Sequence, residues 1–194
     1  MTHNLRPTAI LFPILLLVTA ACGNTSTSKS TKISDTQWDV SVHRVPVFDD
    51  TIQSMIFDSL YTIADTAQVN ALLKELHLPN NISVDWTIPN ADGTIWLVPY
   101  EKDPLLSEKV TLTEATPINE YDETISVAFK FTDTAEWARI TANNIAHRLA
   151  VVVNGQLINA PVVRNEIPSG NCSVAIPTEM IHNYLPELDL ETLK

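Results

Sequence analysis

The sequence predicts an α+β fold, in which an antiparallel or mixed sheet has helices packed on one face. Three observations lead to this fold class. Segments with strand-like alternation outnumber helical segments, short turn sequences join neighbouring strands as hairpins, and several strands separate one helix from the next. At 194 residues the chain is long enough to bury a hydrophobic core without disulfides or metals.

The first 21 residues have the features of a bacterial lipoprotein signal peptide. Arg6 precedes an apolar run over residues 9–18, which is too short to span a bilayer, and small residues lead up to Cys22. The pattern predicts cleavage before Cys22 and its acylation by chains such as palmitate, although Thr19 stands where such signals usually have leucine. An ordinary secretory signal with an incidental cysteine is the alternative.

Residues 22–37 are polar and low in complexity, and they predict a flexible tether ahead of a folded domain over residues 38–194. Removal of residues 1–21 takes away one positive charge, Arg6, and no acidic one, so the formal net charge changes from −11 to −12. Such an acidic surface is repelled by phosphate backbones, which argues against a nucleic-acid partner. We expect the protein in the cell envelope, anchored by its lipid. Because Gly23 is not an acidic retention residue, we expect it on the outer membrane, facing the periplasm.

Alternating apolar residues predict most of the strands. The alternating sets are Trp38, Val40 and Val42; Ile82, Val84, Trp86 and Ile88; and Ile125, Val127, Phe129 and Phe131. Further strands are predicted after the Asp92-Gly93 turn, up to Tyr100, and from Val110 onward.

The first predicted helix has a capping residue at Asp65 or Thr66 and ends before Pro79. Its apolar face consists of Val69, Leu72, Leu73 and Leu76. The preceding stretch, residues 52–63, fits either a helical face or, at residues 60–63, a short strand.

The main helix opens at residues 132–136, where Asp133 and Glu136 have capping-box spacing, so we expect the Glu136 carboxylate to accept from a backbone amide. One side of this helix carries small residues, which predicts close packing on a sheet. That side consists of Ala135, Ala138, Ala142, Ile145 and Leu149. Trp137 and Ile140 lie on the opposite side, where either a second layer covers them or they form an exposed apolar patch.

A hairpin follows the main helix. The apolar run over residues 149–153 predicts a strand, and Asn154-Gly155 predicts a type I′ turn because both of its central residues need positive φ. A second strand ends at Ala160-Pro161, and a turn at Ser169-Gly170 precedes the last strand. A brief helix is expected near residues 179–185.

No catalytic constellation is visible in the sequence. The five histidines have no metal-ligand spacing, and no nucleophile elbow or phosphate-binding glycine loop is present, so no cofactor and no metal are expected. His147-Arg148 fits cation placement near a helix C-terminus. Cys172 alternates with apolar residues of the last strand, which predicts a buried, inert thiol.

These elements resemble the head subdomain of the first periplasmic domain of SecD, a protein-export membrane protein, and of the fused SecDF form. The resemblance covers about residues 60–176. Its densest segments are Trp137-Ala138-Arg139-Ile140-Thr141, Arg148-Leu149-Ala150-Val151-Val152-Val153-Asn154-Gly155, Ala160-Pro161 and Glu166-Ile167-Pro168-Ser169-Gly170-Asn171. It favours a strand at residues 60–63.

The resemblance implies a module on the outer side of a membrane that contacts polypeptides leaving the export channel. Three departures limit what it implies. The family's membrane helices, which carry the proton-coupled step, are missing from this sequence, so the motor function is not expected here. Ala146 replaces a glycine common in the family, and Ala175-Ile176-Pro177 replaces a glycine and an aromatic residue after the last strand.

The leading hypothesis is therefore a non-enzymatic, lipid-anchored envelope protein that binds either an exported polypeptide or a component of the envelope or translocase. Trp137 and Ile140 are the candidate protein contacts, and Cys22 is the candidate lipid attachment site. The alternative is a structural or regulatory adaptor without a transport role. An enzyme, for instance one acting on glycans, has no positive support in the sequence.

Overall fold

The computed structural model describes residues 31–33, 36–48, 55–118 and 123–190. The predicted signal peptide, Cys22 and residues 22–30 of the predicted tether lie outside these ranges, as do residues 52–54 of the ambiguous stretch.

The described residues form strands, two α-helices of eight or more residues, and 3-10 turns. The strands are β1 (Thr31–Lys32), β2 (Gln37–Arg44), β3 (Leu60–Tyr61), β4 (Ile82–Trp86), β5 (Ile95–Glu101), β6 (Leu106–Pro117), β7 (Thr124–Lys130), β8 (Leu149–Val153), β9 (Gln156–Asn159) and β10 (Asn171–Pro177). The helices are α1 (Thr66–Leu73) and α2 (Thr134–Asn143), and 3-10 turns cover Ile63–Asp65 and Thr178–Asn183.

These strands make two antiparallel sheets. The large sheet has the order β10–β7–β6–β2–β8–β9, with β1 also paired to β6, and the small sheet has the order β3–β5–β4. The predicted α+β class is confirmed, and of the two sheet types the sequence left open, the antiparallel one is found. The small second sheet was not expected.

The long strand β6 organises the large sheet. Its first half, from Leu106 to Thr111, pairs with β2, and its second half pairs with β7. On the β2 side, β1 continues the edge by pairing with Glu114 and Ala115. β1 lies within residues 22–37, the range predicted as a tether. Strand β6 extends past the end of β2, and β1 pairs with this extension.

The large sheet curls around the main hydrophobic core, so that its edge strands β9 and β10 approach each other. Alternate residues of β2, β6 and β7 point into this core, as the sequence pattern predicted. Helix α2 and the C-terminal 3-10 turn close it, with Trp137, Ile140 and Ile181 buried in the same cluster. The Trp38 indole Nε1 donates to the carbonyl of Tyr184 at 3.2 Å, which fastens the C-terminal segment to β2.

A second, smaller core lies between the two sheets. Val98 of β5 packs there against Ala150 and Val152 of β8 and Leu157 of β9. Strand β8 therefore has one face in each core, and all five of its residues are buried. Its predicted continuous apolar run is explained by this double burial.

Helix α2 turns its large residues, not its small ones, towards the sheet. Trp137, Ile140 and Thr141 are buried, whereas Ala135 and Ile145 are exposed. The prediction that the alanine side packs on the sheet is wrong. Burial of an indole and an isoleucine removes far more apolar area from water than burial of alanines, and the curled sheet leaves room for them.

Only one of the two predicted capping hydrogen bonds at the N-terminus of α2 is found. The Asp133 carboxylate accepts a hydrogen bond from the Glu136 amide at 2.9 Å. The Glu136 carboxylate does not return a bond to a backbone amide. It binds the Arg139 guanidinium through both oxygens, Nε at 2.7 Å, because a bidentate charge-assisted pair is the stronger partner.

The first predicted helix is found as α1, but it is less buried than its pattern indicated. Val69 is buried, whereas Leu72 remains 47% exposed. Asp65 stands at the N-cap position, yet its carboxylate accepts from the Thr62 amide at 2.7 Å. The short strand favoured at residues 60–63 is two residues long, because Ile63 already begins a 3-10 turn.

Four places in the described residues have positive φ, and Gly93, in the predicted Asp92-Gly93 turn, is one of them with a φ of 78°. Asn154 and Gly155 have φ of 49° and 81°, as the predicted type I′ turn requires, and the Asn154 side chain accepts from the Asp39 amide. Gly170 has φ of 74°. Ala146 has φ of 68° at the position where the resembling family usually has glycine. No helix in the described ranges is both long and apolar enough to span a membrane.

Replacement of Gly170 by alanine should strongly destabilise the fold. A Cβ at this position would lie 2.8 Å from both the Phe131 carbonyl oxygen and the Thr134 Cγ2, in addition to the cost of positive φ. We expect Gly170→Ala to lower the free energy of unfolding by about 3 kcal/mol, measured by urea denaturation.

Gly155→Ala is the matched control, because it has a similar φ and nothing within 4 Å of the added Cβ. It should lower the free energy of unfolding by about 1 kcal/mol. Equal losses in the two variants would show that the close contacts around Gly170 do not matter.

Candidate functional site

The two candidate protein contacts lie in the core. Trp137 is 3% exposed and Ile140 is 2% exposed, and both pack in the main cluster. Of the two alternatives, the structure shows the one in which a second layer covers them. They form no exposed patch, so the reason for proposing them as protein contacts no longer holds. The lipid attachment site Cys22 lies outside the described residues.

A cleft of about 230 Å³ opens where the small sheet meets the end of β2 and β8. Its floor is the stretch of β5 from Trp96 to Pro99, and four other segments of the chain form its walls. The wall segments are Val45–Phe48, Phe57–Asp58, Ala146–Arg148 and Val162. Because β3 pairs only with Ile95 and Trp96, it leaves this part of β5 open to the cleft.

One wall of the cleft is a cation stacked on an aromatic ring. The Arg148 guanidinium carbon lies 4.8 Å from the centre of the Trp96 ring, and its Nη1 donates to the Ala160 carbonyl at 3.0 Å. Burial lowers the pKa of Arg148, and the charge of Asp58 partly opposes that effect. Arg148 remains charged at neutral pH, since an arginine starts from such a high pKa. The predicted role of Arg148 as a helix-terminal cation is wrong, because α2 ends at Asn143.

The opposite wall is aromatic and aliphatic. The rings of Phe48 and Phe57 lie 5.4 Å apart at an angle of 34°, and Val47 beside them is 77% exposed. The Trp96 Nε1 is buried and has no hydrogen-bond acceptor among the described residues. The cleft therefore combines apolar walls with one charged donor, the Arg148 guanidinium.

Sequence reasoning missed this cleft because its residues come from five separate segments, none of which forms a motif. The only local signal was the pair of phenylalanines at positions 48 and 57, outside any regular apolar pattern.

No set of three histidine, cysteine or acidic side chains in the described residues is close enough to hold a metal ion. The buried His43 is used structurally between the sheets, with Nδ1 2.8 Å from the Glu101 carbonyl and Nε2 2.8 Å from the Ser41 hydroxyl. Burial raises the pKa of the Tyr100 phenol, whose hydroxyl donates to Asp85.

Comparison with known proteins shows that part of the chain matches a known family. Residues 87–178 match the family described as SecDF, P1 head subdomain, which is just under half of the chain. That match includes β5, the main helix and the hairpin of β8 and β9. The chain contains a SecD P1 head-like domain.

Curated relatives of this head-like domain are subunits of protein translocases. The SecD subunit of Rhodothermus marinus is 33% identical over 125 residues, which cover 57% of this chain and 20% of that protein. The SecD subunit of Magnetococcus marinus is 33% identical over 75 residues, covering 38% of this chain and 14% of that protein. The chain thus matches a fifth or less of the length of these relatives.

Two solved structures are also similar to the chain. A crystal structure of SecDF in a super-membrane-facing form is 18% identical, with a TM-score of 0.37, over 72% of this chain and 17% of that one. A structure of the membrane component SecDF that enhances protein export is 19% identical, with the same TM-score, over 71% of this chain and 55% of that one. Both similarities are too low to support an argument about strand order or register. The strand order and register given above come from the backbone pairings of this chain alone.

Truncation of Trp137 should unfold the head-like domain, because the side chain fills the core between α2 and the curled sheet. We expect Trp137→Ala to lower the free energy of unfolding by about 3–5 kcal/mol in urea denaturation. Ile145→Ala, at a 48% exposed position just after the same helix, is the control and should cost about 0.5 kcal/mol. A folded Trp137→Ala variant of unchanged stability would contradict the core placement.

The thiol of Cys172 should make the stability fall at alkaline pH. It packs against the core, and burial raises its pKa from 9.0 to about 12. Between these pH values the unfolded chain loses a proton that the folded chain keeps. The free energy of unfolding therefore decreases as pH rises, by at most about 1.4 kcal/mol per pH unit.

Urea denaturation of the wild type and of Cys172→Ala on both sides of pH 9.0 measures this effect. The variant lacks the thiol, so its stability should decline less steeply above that pH. Identical declines would show that the thiol ionises equally well in the folded chain.

Proposed function

We propose that this protein is a non-enzymatic, lipid-anchored envelope protein whose SecD P1 head-like domain binds extended polypeptide at the cleft beside β5. The observation that carries the proposal is the match of residues 87–178 to the SecDF P1 head subdomain, whose segment supplies the cleft floor and the Arg148 wall. The relatives are named as protein translocase subunits, which favours a protein as the ligand.

The size and chemistry of the cleft support a polypeptide over a small molecule. Small-molecule pockets usually enclose about 300–1,000 Å³, whereas this cleft has about 230 Å³. Apolar walls suit an aliphatic or aromatic side chain. The Arg148 guanidinium is a donor that suits backbone carbonyls.

The anchor is proposed from the sequence of residues 1–22, with the acyl chains on Cys22. Each buried methylene contributes about 0.8 kcal/mol, so several chains hold a protein firmly at a membrane. The outer membrane, facing the periplasm, is the proposed location because Gly23 follows the cysteine. The membrane-embedded motor of the SecD family is not part of the proposed function.

Binding to a permanently unfolded chain tests the function. Labelled lysozyme that has been reduced and blocked with neutral iodoacetamide is unfolded and basic, and it should bind the acidic protein in a fluorescence anisotropy titration. Phe57→Asp places a charge in the apolar wall and should weaken the binding at least about tenfold. Leu72→Asp changes an exposed apolar residue outside the cleft and should leave binding unchanged.

Circular dichroism establishes that both variants are folded. A wild-type protein that does not bind the unfolded chain contradicts the proposed function. Equal weakening by Phe57→Asp and Leu72→Asp contradicts the assignment to the cleft.

Crosslinking in intact envelopes separates this function from an adaptor role. A tagged copy purified under denaturing conditions should carry a broad set of exported precursors. One or two defined envelope proteins in their place would indicate a docking adaptor. In the same preparation Cys22→Ser should leave the membrane fraction, and its retention there would contradict the lipid anchor.

A further inference from the structure

We propose that the outer edge of β4 holds the extended polypeptide by strand addition to the small sheet. This inference rests on the proposed function and specifies how the backbone of the ligand is recognised. It concerns a different surface from the cleft, since no β4 residue lines the cleft.

The hydrogen bonds at the two ends of β4 fix the directions of its backbone groups. The Thr87 amide donates to the Trp96 carbonyl at 2.8 Å, and the Lys102 amide donates to the Asn81 carbonyl at 2.8 Å. In an antiparallel ladder, every second residue turns its N–H and C=O to the partner strand. The N–H and C=O groups of residues 83 and 85 therefore point to β5, whereas those of Val84 and Trp86 point away from the sheet.

The outward groups are unpaired within the part of the chain that the structure describes. β4 pairs with β5 only, and no backbone hydrogen bond joins the amides or carbonyls of Val84 and Trp86 to another described residue. The two terminal strands of the large sheet, β9 and β10, are better protected. The Leu157 carbonyl on β9 accepts from the Ile88 amide, and β9 and β10 approach each other as the large sheet curls.

The β4 edge also lacks the features that usually prevent strand addition. Exposed edges are commonly blunted by lysine, proline or a bulge. β4 has the sequence ISVDW and pairs with β5 without a register shift, so it contains none of these. Its one charged residue, Asp85, is exposed and accepts from the Tyr100 hydroxyl.

The β4 edge could pair with a second copy of this chain or with a foreign polypeptide, and charge decides between them. The formal net charge of −11 makes two copies of this chain repel each other, which disfavours edge-to-edge pairing of β4 with itself. A foreign extended polypeptide meets no such repulsion, and one with basic residues is attracted by Asp85 and by the acidic surface as a whole. The occupant we infer is therefore an extended, basic segment of another polypeptide.

A proline at the outward-facing position tests the strand addition. The probe is a labelled peptide of alternating valine and lysine, about eight residues long, which is long enough to cover all of β4 and lies within the usual range of strand lengths. Val84→Pro removes the outward N–H without removing a ladder hydrogen bond, and proline is tolerated on such edges. We expect it to weaken binding at least about tenfold. Val84→Thr keeps the backbone and the side-chain shape and should bind like the wild type.

Amide hydrogen exchange on the unmodified protein gives a second measurement that needs no variant. Addition of the peptide should slow exchange at Val84 and Trp86, and should leave the amides of β10 unchanged. Undiminished binding by Val84→Pro, or unchanged exchange at Val84 and Trp86, overturns the strand addition while the proposed function stands.

The other outcomes are also distinct. If neither the peptide nor the unfolded, blocked lysozyme binds the wild type, the proposed function itself fails. If the wild type is a dimer in light scattering and Val84→Pro is a monomer, a second copy occupies the edge, and the inferred occupant is wrong.

Discussion

The burial of β8 on both faces is the constraint on which the rest of the structure depends. All five of its residues are buried, so a layer must cover each side of the large sheet at that strand. Helix α2 and the curled sheet cover one side, and the small sheet covers the other with Val98. The cleft exists because these two coverings meet at the end of β8, where Arg148 turns from the sheet towards Trp96.

Much of the fold was predictable because alternation and turn chemistry are local. The strands around Trp38 and Phe129 and the positive φ values at Asn154 and Gly155 followed directly from the sequence. The buried face of α2 was predicted wrongly. A stripe of alanines can lie on the buried or on the exposed face of a helix, and only the curvature of the sheet decides which face is buried. The strands of the small sheet are close in sequence and were predicted, but alternation alone does not tell which strands share a sheet. The cleft was missed because its segments are distant in sequence.

The two proposed contact surfaces divide the recognition of a polypeptide by chemistry. The cleft offers apolar and aromatic walls that suit side chains, whereas the edge of β4 offers N–H and C=O groups that suit any backbone. Both surfaces belong to the small sheet, on opposite sides of β5. A ligand recognised mainly through its backbone is bound with little dependence on its sequence.

The pairing of β1 has a consequence for orientation. β1 lies against Glu114, near one end of β6, whereas Arg44 and the cleft lie beyond Leu106 at its other end. Eight residues of extended strand separate these ends by about 26 Å. Strand β1 runs from Ala115 towards Glu114 along β6, so Thr31 is its end farther from the cleft. A polypeptide bound in the cleft would therefore lie at the end of the domain remote from β1, separated from it by most of the length of the large sheet.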